Sequence, residues 1–179
     1  MIKTSHSRLQ DNKNMIKHLL IGACLVFTSQ VSAEILQGRV VAISDGDTLT
    51  LLDDNNTQHK VRLTSIDAPE KRQPFGQASK ESLSQLVFGK AVQVDWSKKD
   101  RYKRILGKVL INGSDANLEQ IKRGLAWHYS KYMKEQPYEE RVNYIVAQTE
   151  AKTRRLGLWS QPNPVAPWGW RKQARELLN

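Results

Sequence analysis

Cysteine is nearly missing from this chain: among 179 residues there is one, Cys24, and only four histidines accompany it. From Glu34 onward no cysteine remains, which excludes a thiol nucleophile, a disulfide framework and a cysteine zinc site from that part. His59 and His128 are the histidines left there, and neither stands in the arrangement that histidine-dependent nucleases or phospholipase D-like enzymes require. No Ser-His-Asp motif is present either. Long hydrophobic runs are absent too. The apolar stretch from Leu19 to Phe27 falls far short of the roughly 20 residues that span a bilayer, and no later segment is apolar enough to try. Without repeats or low-complexity linkers, and with 39% hydrophobic residues, the chain is expected to form one domain around one core.

The N terminus has the pattern of an export signal. Met15-Ile16-Lys17 leads into the apolar stretch, and Val31-Ser32-Ala33 places small residues where signal peptidase cuts. The expected start is Met15, the expected cut follows Ala33, and the expected mature protein, residues 34–179, is periplasmic or secreted. Ile21-Gly22-Ala23-Cys24 also resembles a site at which bacterial lipoproteins are cut and acylated, a second reading of the same segment. The segment through Ala33 carries Lys3, Arg8, Lys13 and Lys17 against Asp11, a net +3, so +7 of the total +10 remains after processing. An excess of that size suits a polyanionic partner, and it is also ordinary for a basic exported protein.

Beyond Glu34 the pattern predicts a small barrel followed by helices. Leu36 to Ser44 and Thr48 to Asp53 read as strands joined at Asp45-Gly46, and Thr57 to Ile66 as a third, with Val61 and Leu63 on one face and Arg62 and Thr64 on the other. Leu83, Leu86 and Val87 recur at helical spacing until Gly89. Val92, Val94 and Trp96 alternate as a fourth strand, and Arg104 to Ile111 reads as a fifth. A short helix follows from about Ala116 to Arg123. A last helix begins near Pro137, with Tyr138, Val142, Ile145 and Thr149 tracing its apolar face, and a Pro- and Trp-rich tail closes the chain. Three strands, a helix and two strands is the order of an OB-fold, a five-stranded Greek-key barrel, so an α+β, mainly β, domain is expected.

Certain residues then stand out for their chemistry. Asp45-Gly46-Asp47-Thr48 and Arg62-x-x-x-x-Asp67-Ala68-Pro69-Glu70 bring carboxylates and an arginine to the ends of predicted strands. Asp100-Arg101-Tyr102-Lys103-Arg104, Arg123-Gly124-Leu125-Ala126 and Leu156-Gly157-Leu158-Trp159 follow. In that order and spacing the five motifs resemble the staphylococcal nuclease family, over nearly all of Gln37 to Trp159, and more closely its exported Gram-negative members. The resemblance implies an OB barrel with three helices and a nuclease that attacks DNA and RNA with little base specificity.

It also implies roles. Asp47, Asp67 and the carbonyl of Ala68 match the ligands of a Ca²⁺ ion, a hard cation suited to oxygen donors with room for waters. Glu70 matches the general base, and Arg62 and Arg104 match two phosphate-clamping arginines whose bonds strengthen as charge builds in the transition state. Arg101 and Tyr102 match contacts to phosphate and nucleotide. A second pocket tyrosine is expected after Ala126; by residue count its position is Ser130, with Tyr129 and Tyr132 as neighbours, and Tyr132 is the choice. Lys103 stands where the family often has glycine, and the loop after Glu70 is shorter than in the founding enzyme.

Each residue has a plainer reading. Asp47 would be a turn residue, Asp67 a loop cap, Glu70 a solvated helix start, and Arg62 or Arg104 a partner in a surface ion pair. Trp159, Trp168 and Trp170 are expected to pack the tail against the barrel as a docked strap rather than to stack on bases. A non-catalytic OB-type nucleic-acid-binding module is the alternative function; retention of Asp47, Arg62, Asp67, Glu70 and Arg104 favours the enzyme. Its expected partners are DNA and RNA, with no stable membrane insertion after processing, and the protein is expected to be a monomer.

Overall fold

The computed structural model describes residues 34–177, so the expected export segment and the Cys24 alternative lie outside the described residues. Eight strands are present among them: β1 (Glu34–Asp45), β2 (Thr48–Leu52), β3 (Gln58–Leu63), β4 (Ile66–Asp67), β5 (Ala91–Lys99), β6 (Ile105–Ile111), β7 (Ser114–Asp115) and β8 (Trp127–His128). Around the main sheet the order is β3-β2-β1-β5-β6-β7. Val61, Arg62 and Leu63 of β3 also pair in parallel with Ile105, Leu106 and Gly107 of β6, and this seam closes β1, β2, β3, β6 and β5 into a barrel. The five strands expected from the sequence are therefore the five staves, and the architecture agrees with an OB barrel.

Alternation explains the interior. Leu49 and Leu51, Val61 and Leu63, Val92 and Val94, and Ile105 and Val109 all point inward and are buried, each from a strand whose intervening residues face out. Helix α1 (Gly76–Val87) closes one side with Leu83 and Val87, and α2 (Ala116–Lys122) adds Ile121. Asp115 caps α2 by accepting from the Leu118 amide at 3.0 Å.

Helix α3 (Tyr138–Thr153) departs from the expected face. Tyr138 is 71% exposed and Ile145 43%, while the helix buries Tyr144, Ala147 and Ala151. Two small residues at i and i+4 let the helix lie close, and Tyr144 brings a hydroxyl that donates to Asp115 Oδ2 at 2.8 Å. Close approach and one buried hydrogen bond decided the face, and the larger apolar residues were left outside.

The glycine motifs turn out to be one contact. Gly124 and Gly157 both have positive φ, their backbones touch, and the Leu158 amide donates to the Gly124 carbonyl at 2.8 Å. A Cβ on either would meet the other's segment, so both the conformation and the approach require glycine.

The tail is a strap as expected, and then something more. Gln73 Nε2 donates to the Val165 carbonyl at 2.7 Å, tying the strap to the loop after Glu70. Pro167 then begins a fourth helix, α4 (Pro167–Glu176), where three had been expected. Proline suits the first helical position because its missing N–H would have had no partner there. Two short 3-10 turns, Ser130–Glu135 and Gly157–Ser160, complete the described structure. No helix among the described residues is long and apolar enough to cross a membrane.

Candidate active site

Asp47 is placed by the tight turn between β1 and β2. Gly46 has no side chain to collide with Ser79 and Ala68, so the turn sinks against α1, and Gln120 Nε2 donates to its carbonyl at 2.8 Å. The Asp47 carboxylate then accepts from the Ala68 amide at 2.8 Å and from the Thr48 hydroxyl at 3.0 Å. Asp67 arrives from the other side on β4, which pairs with β8 so that Asp67 lies opposite Trp127. Both aspartates are buried, at 5% and 1% exposure.

One guanidinium bridges them. Arg62 projects from the outer face of β3 and sets Nη1 2.5 Å from Asp47 Oδ2 and Nη2 2.9 Å from Asp67 Oδ1. Burial opposes its charge, but Asp47 and Asp67 outweigh that and push its pKa up. For Asp47 the balance goes the other way: burial, helped by Asp45 and Asp67, raises its carboxyl to about 7 against the lowering pull of Arg62.

A residue that sequence reasoning missed completes the cluster. Arg171 on α4 places Nη2 2.7 Å and Nη1 3.2 Å from the two oxygens of Asp67, and Nη1 2.7 Å from Glu70 Oε1. The only signal for it was an arginine immediately after the tail's tryptophans, and the tail had been read as packing.

The remaining expected residues lie elsewhere. Arg104, just before β6, gives Nε and Nη2 to Asp100 Oδ2 at 2.8 and 2.7 Å, so its contacts are with that aspartate and not with Asp47 or Asp67. It nonetheless immediately precedes β6, whose Leu106 pairs with Arg62 of β3. Tyr102 is 64% exposed, flanked by the guanidinium carbons of Arg101 at 4.8 Å and Arg104 at 5.5 Å. Lys103 adopts φ 62°, the conformation a glycine would favour, and the turn survives because Asp100 Oδ1 accepts from the amides of Tyr102 and Arg104. Tyr132 is half exposed beside Lys98 and Lys131, with its ring 5.7 Å from that of Tyr129.

The donor set fits a hard divalent cation in chemistry and in charge. Asp45, Asp47, Asp67 and Glu70 face Arg62 and Arg171, a formal balance of −2 once every carboxyl is ionised, and the donors are carboxylate oxygens. Among the described residues no three His, Cys, Asp or Glu side chains form a ready-made cage, so waters and substrate oxygens would complete the coordination.

A small closed barrel with buried carboxylates gripped by guanidiniums at its rim has the parts of a phosphate-ester hydrolase. Comparison with known proteins sharpens this. Residues 60–161 match the family model described as staphylococcal nuclease homologue, a span that includes Arg62, Asp67, Glu70 and Arg104 and leaves out Asp47 and α4. A Haemophilus influenzae protein described as an uncharacterized endonuclease is 45% identical over 161 residues, covering 89% of this chain and 87% of the relative. An Escherichia coli protein of the same description is 39% identical over 147 residues, 82% and 92% of the two chains. The micrococcal nuclease of Shigella flexneri is 38% identical over 152 residues, 80% and 84%. The chain belongs to the staphylococcal nuclease family and is a nuclease.

Proposed function

We propose that this nuclease is Ca²⁺-dependent, is exported to the periplasm or beyond, and hydrolyses both DNA and RNA with little sequence preference, leaving 3′-phosphate ends. The observation that carries the reading is the convergence of Asp47 and Asp67 on the single guanidinium of Arg62. Two carboxylates that meet on one guanidinium would offer oxygen donors to one shared ion, with the Ala68 carbonyl as a third protein donor. When bound, the cation would neutralise phosphate charge and acidify coordinated water.

This chain's own residues account for the rest. A phosphodiester repels hydroxide, so its charge must be masked before water can attack. Arg62 retains Nε without a hydrogen bond among the described residues, and Arg104 retains Nη1; these donors would take the non-bridging oxygens. Glu70 would accept a proton from the attacking water. The new P–O bond forms as the bond to the 5′-oxygen breaks, and the departing oxygen takes a proton to become a 5′-hydroxyl. Arg101, Tyr102 and Tyr132 would hold the chain of nucleotides through phosphate and ring faces, which carries no sequence information. A net +7 after processing would draw a polyanion to a monomeric protein.

Plasmid DNA and RNA incubated with the protein and Ca²⁺, Mg²⁺ or EDTA test this directly. Cleavage of both substrates with Ca²⁺, with products that phosphatase can strip at their 3′ ends, is expected. Salt-sensitive binding without cleavage would instead identify a non-catalytic module.

A further inference from the structure

Arg171 is the only hydrogen-bond or ion-pair partner of the Glu70 carboxylate among the described residues. Its Nη1 takes Oε1, and Oε2 has no hydrogen bond among the described residues. A half-exposed glutamate free to rotate would present either oxygen in many directions. Held at Oε1, it presents one.

The hold is built at more than one point. Trp168, three residues before Arg171 and so on the same side of α4, packs its ring 5.6 Å from Trp127 and 5.3 Å from Tyr129. Trp127 lies directly opposite Asp67 in the β4–β8 pair, so α4 leans on both members of that pair: Trp168 on one, Arg171 on the other. Gln73 joins the same assembly from below. Its Oε1 accepts from the Glu70 amide at 3.1 Å while its Nε2 donates to Val165 just ahead of α4. An exposed ion pair of this kind would ordinarily count for little. Here one side of it is the bidentate grip on Asp67, which is 1% exposed.

We infer that Arg171 is a positioning residue for Glu70, and that α4 is a working part of the active site whose task is to orient that carboxylate toward the attacking water. This rests on the nuclease reading of Glu70 given above. It assigns to the tail a role in the chemical step, and none in gripping the substrate.

A double-mutant cycle tests it. Arg171→Ala, Glu70→Ala and the double variant are compared with wild type on an oligonucleotide substrate, with melting temperatures to confirm folding and Arg171→Lys as the variant that keeps the charge. Arg171→Ala should lower kcat roughly 10- to 100-fold with KM unchanged, as loss of alignment does. Arg171→Lys should recover part of that loss. In the Glu70→Ala background the same substitution should cost at least tenfold less, because the carboxylate it orients is gone and only its hold on Asp67 is left to lose. Binding of DNA in EDTA, read by fluorescence anisotropy, should keep its affinity and its salt dependence. An equal loss with or without Glu70 would show that Arg171 acts through Asp67 or the substrate and not through Glu70, and a salt slope reduced by about one would make it a substrate contact; either result would overturn the inference. So would a fully active Arg171→Ala protein. An inactive wild type would instead sink the nuclease reading of the site, a separate result.

Discussion

Replacing Arg62 with methionine removes the one group that bridges both buried aspartates, and its effect follows from the geometry. Asp47 and Asp67 are 5% and 1% exposed, so without the guanidinium they become carboxylates buried with less compensation. Breaking one side of such a pairing costs about 3 to 5 kcal/mol. For a domain of this size that is a fall in Tm of roughly 6 to 20 °C. The loss should depend on pH, and the sign is fixed. Asp47 already titrates near 7 in the fold, against 3.8 for a free carboxyl, and removing Arg62 raises it further. Between those values the folded state of the variant binds more protons than the unfolded state, so its stability rises as pH falls, by at most about 1.4 kcal/mol per pH unit. Thermal unfolding in EDTA at pH 8 and pH 5.5 reads both numbers. The deficit should be large at pH 8 and much smaller at pH 5.5, and Ca²⁺ at about 100 times its dissociation constant should return about 2.7 kcal/mol. A deficit under about 1 kcal/mol, equal at both pH values, would refute the reasoning.

Two further substitutions probe features away from the metal ligands. Lys103→Gly should stabilise the protein by about 0.5 to 1 kcal/mol, because the turn already holds a left-handed conformation that a side chain resists; a lower Tm would show that the Asp100 bonds had relieved that strain. His128 is buried with Nε2 3.0 Å from Gln136 Oε1, and burial lowers its pKa. The unfolded chain therefore takes up the proton first, so the histidine's contribution to stability is lost as pH falls below about 6.5, opposing the gain that Asp47 brings in the same range. His128→Gln should remove that loss, so the variant should gain stability relative to wild type as pH falls from 8 to 5.5, and an unchanged difference would place the titration elsewhere.

The barrel was legible because its staves alternate cleanly: Val61, Leu63, Val92 and Val94 face inward as their spacing implies. Asp47 and Asp67 were legible as motifs, and their convergence required the fold. Two features escaped for physical reasons. On α3 the largest apolar residues suggested the wrong face, since burial went to Ala147, Ala151 and a tyrosine with a hydrogen-bond partner. Arg171 escaped because its partners, Asp67 and Glu70, lie about a hundred residues earlier in the chain, and no periodicity or spacing connects residues across that distance.

The central claim is that Asp47 and Asp67 share a hard cation which the cleavage reaction needs. Its most direct test is the rate of cleavage of a quenched fluorescent oligonucleotide as Ca²⁺ is added to EDTA-stripped protein, for wild type and Asp67→Asn side by side. The account predicts no cleavage before Ca²⁺ is added, a saturable rise for wild type, and a flat line for the folded variant. Cleavage by wild type in EDTA, or an equal rise for Asp67→Asn, would contradict it.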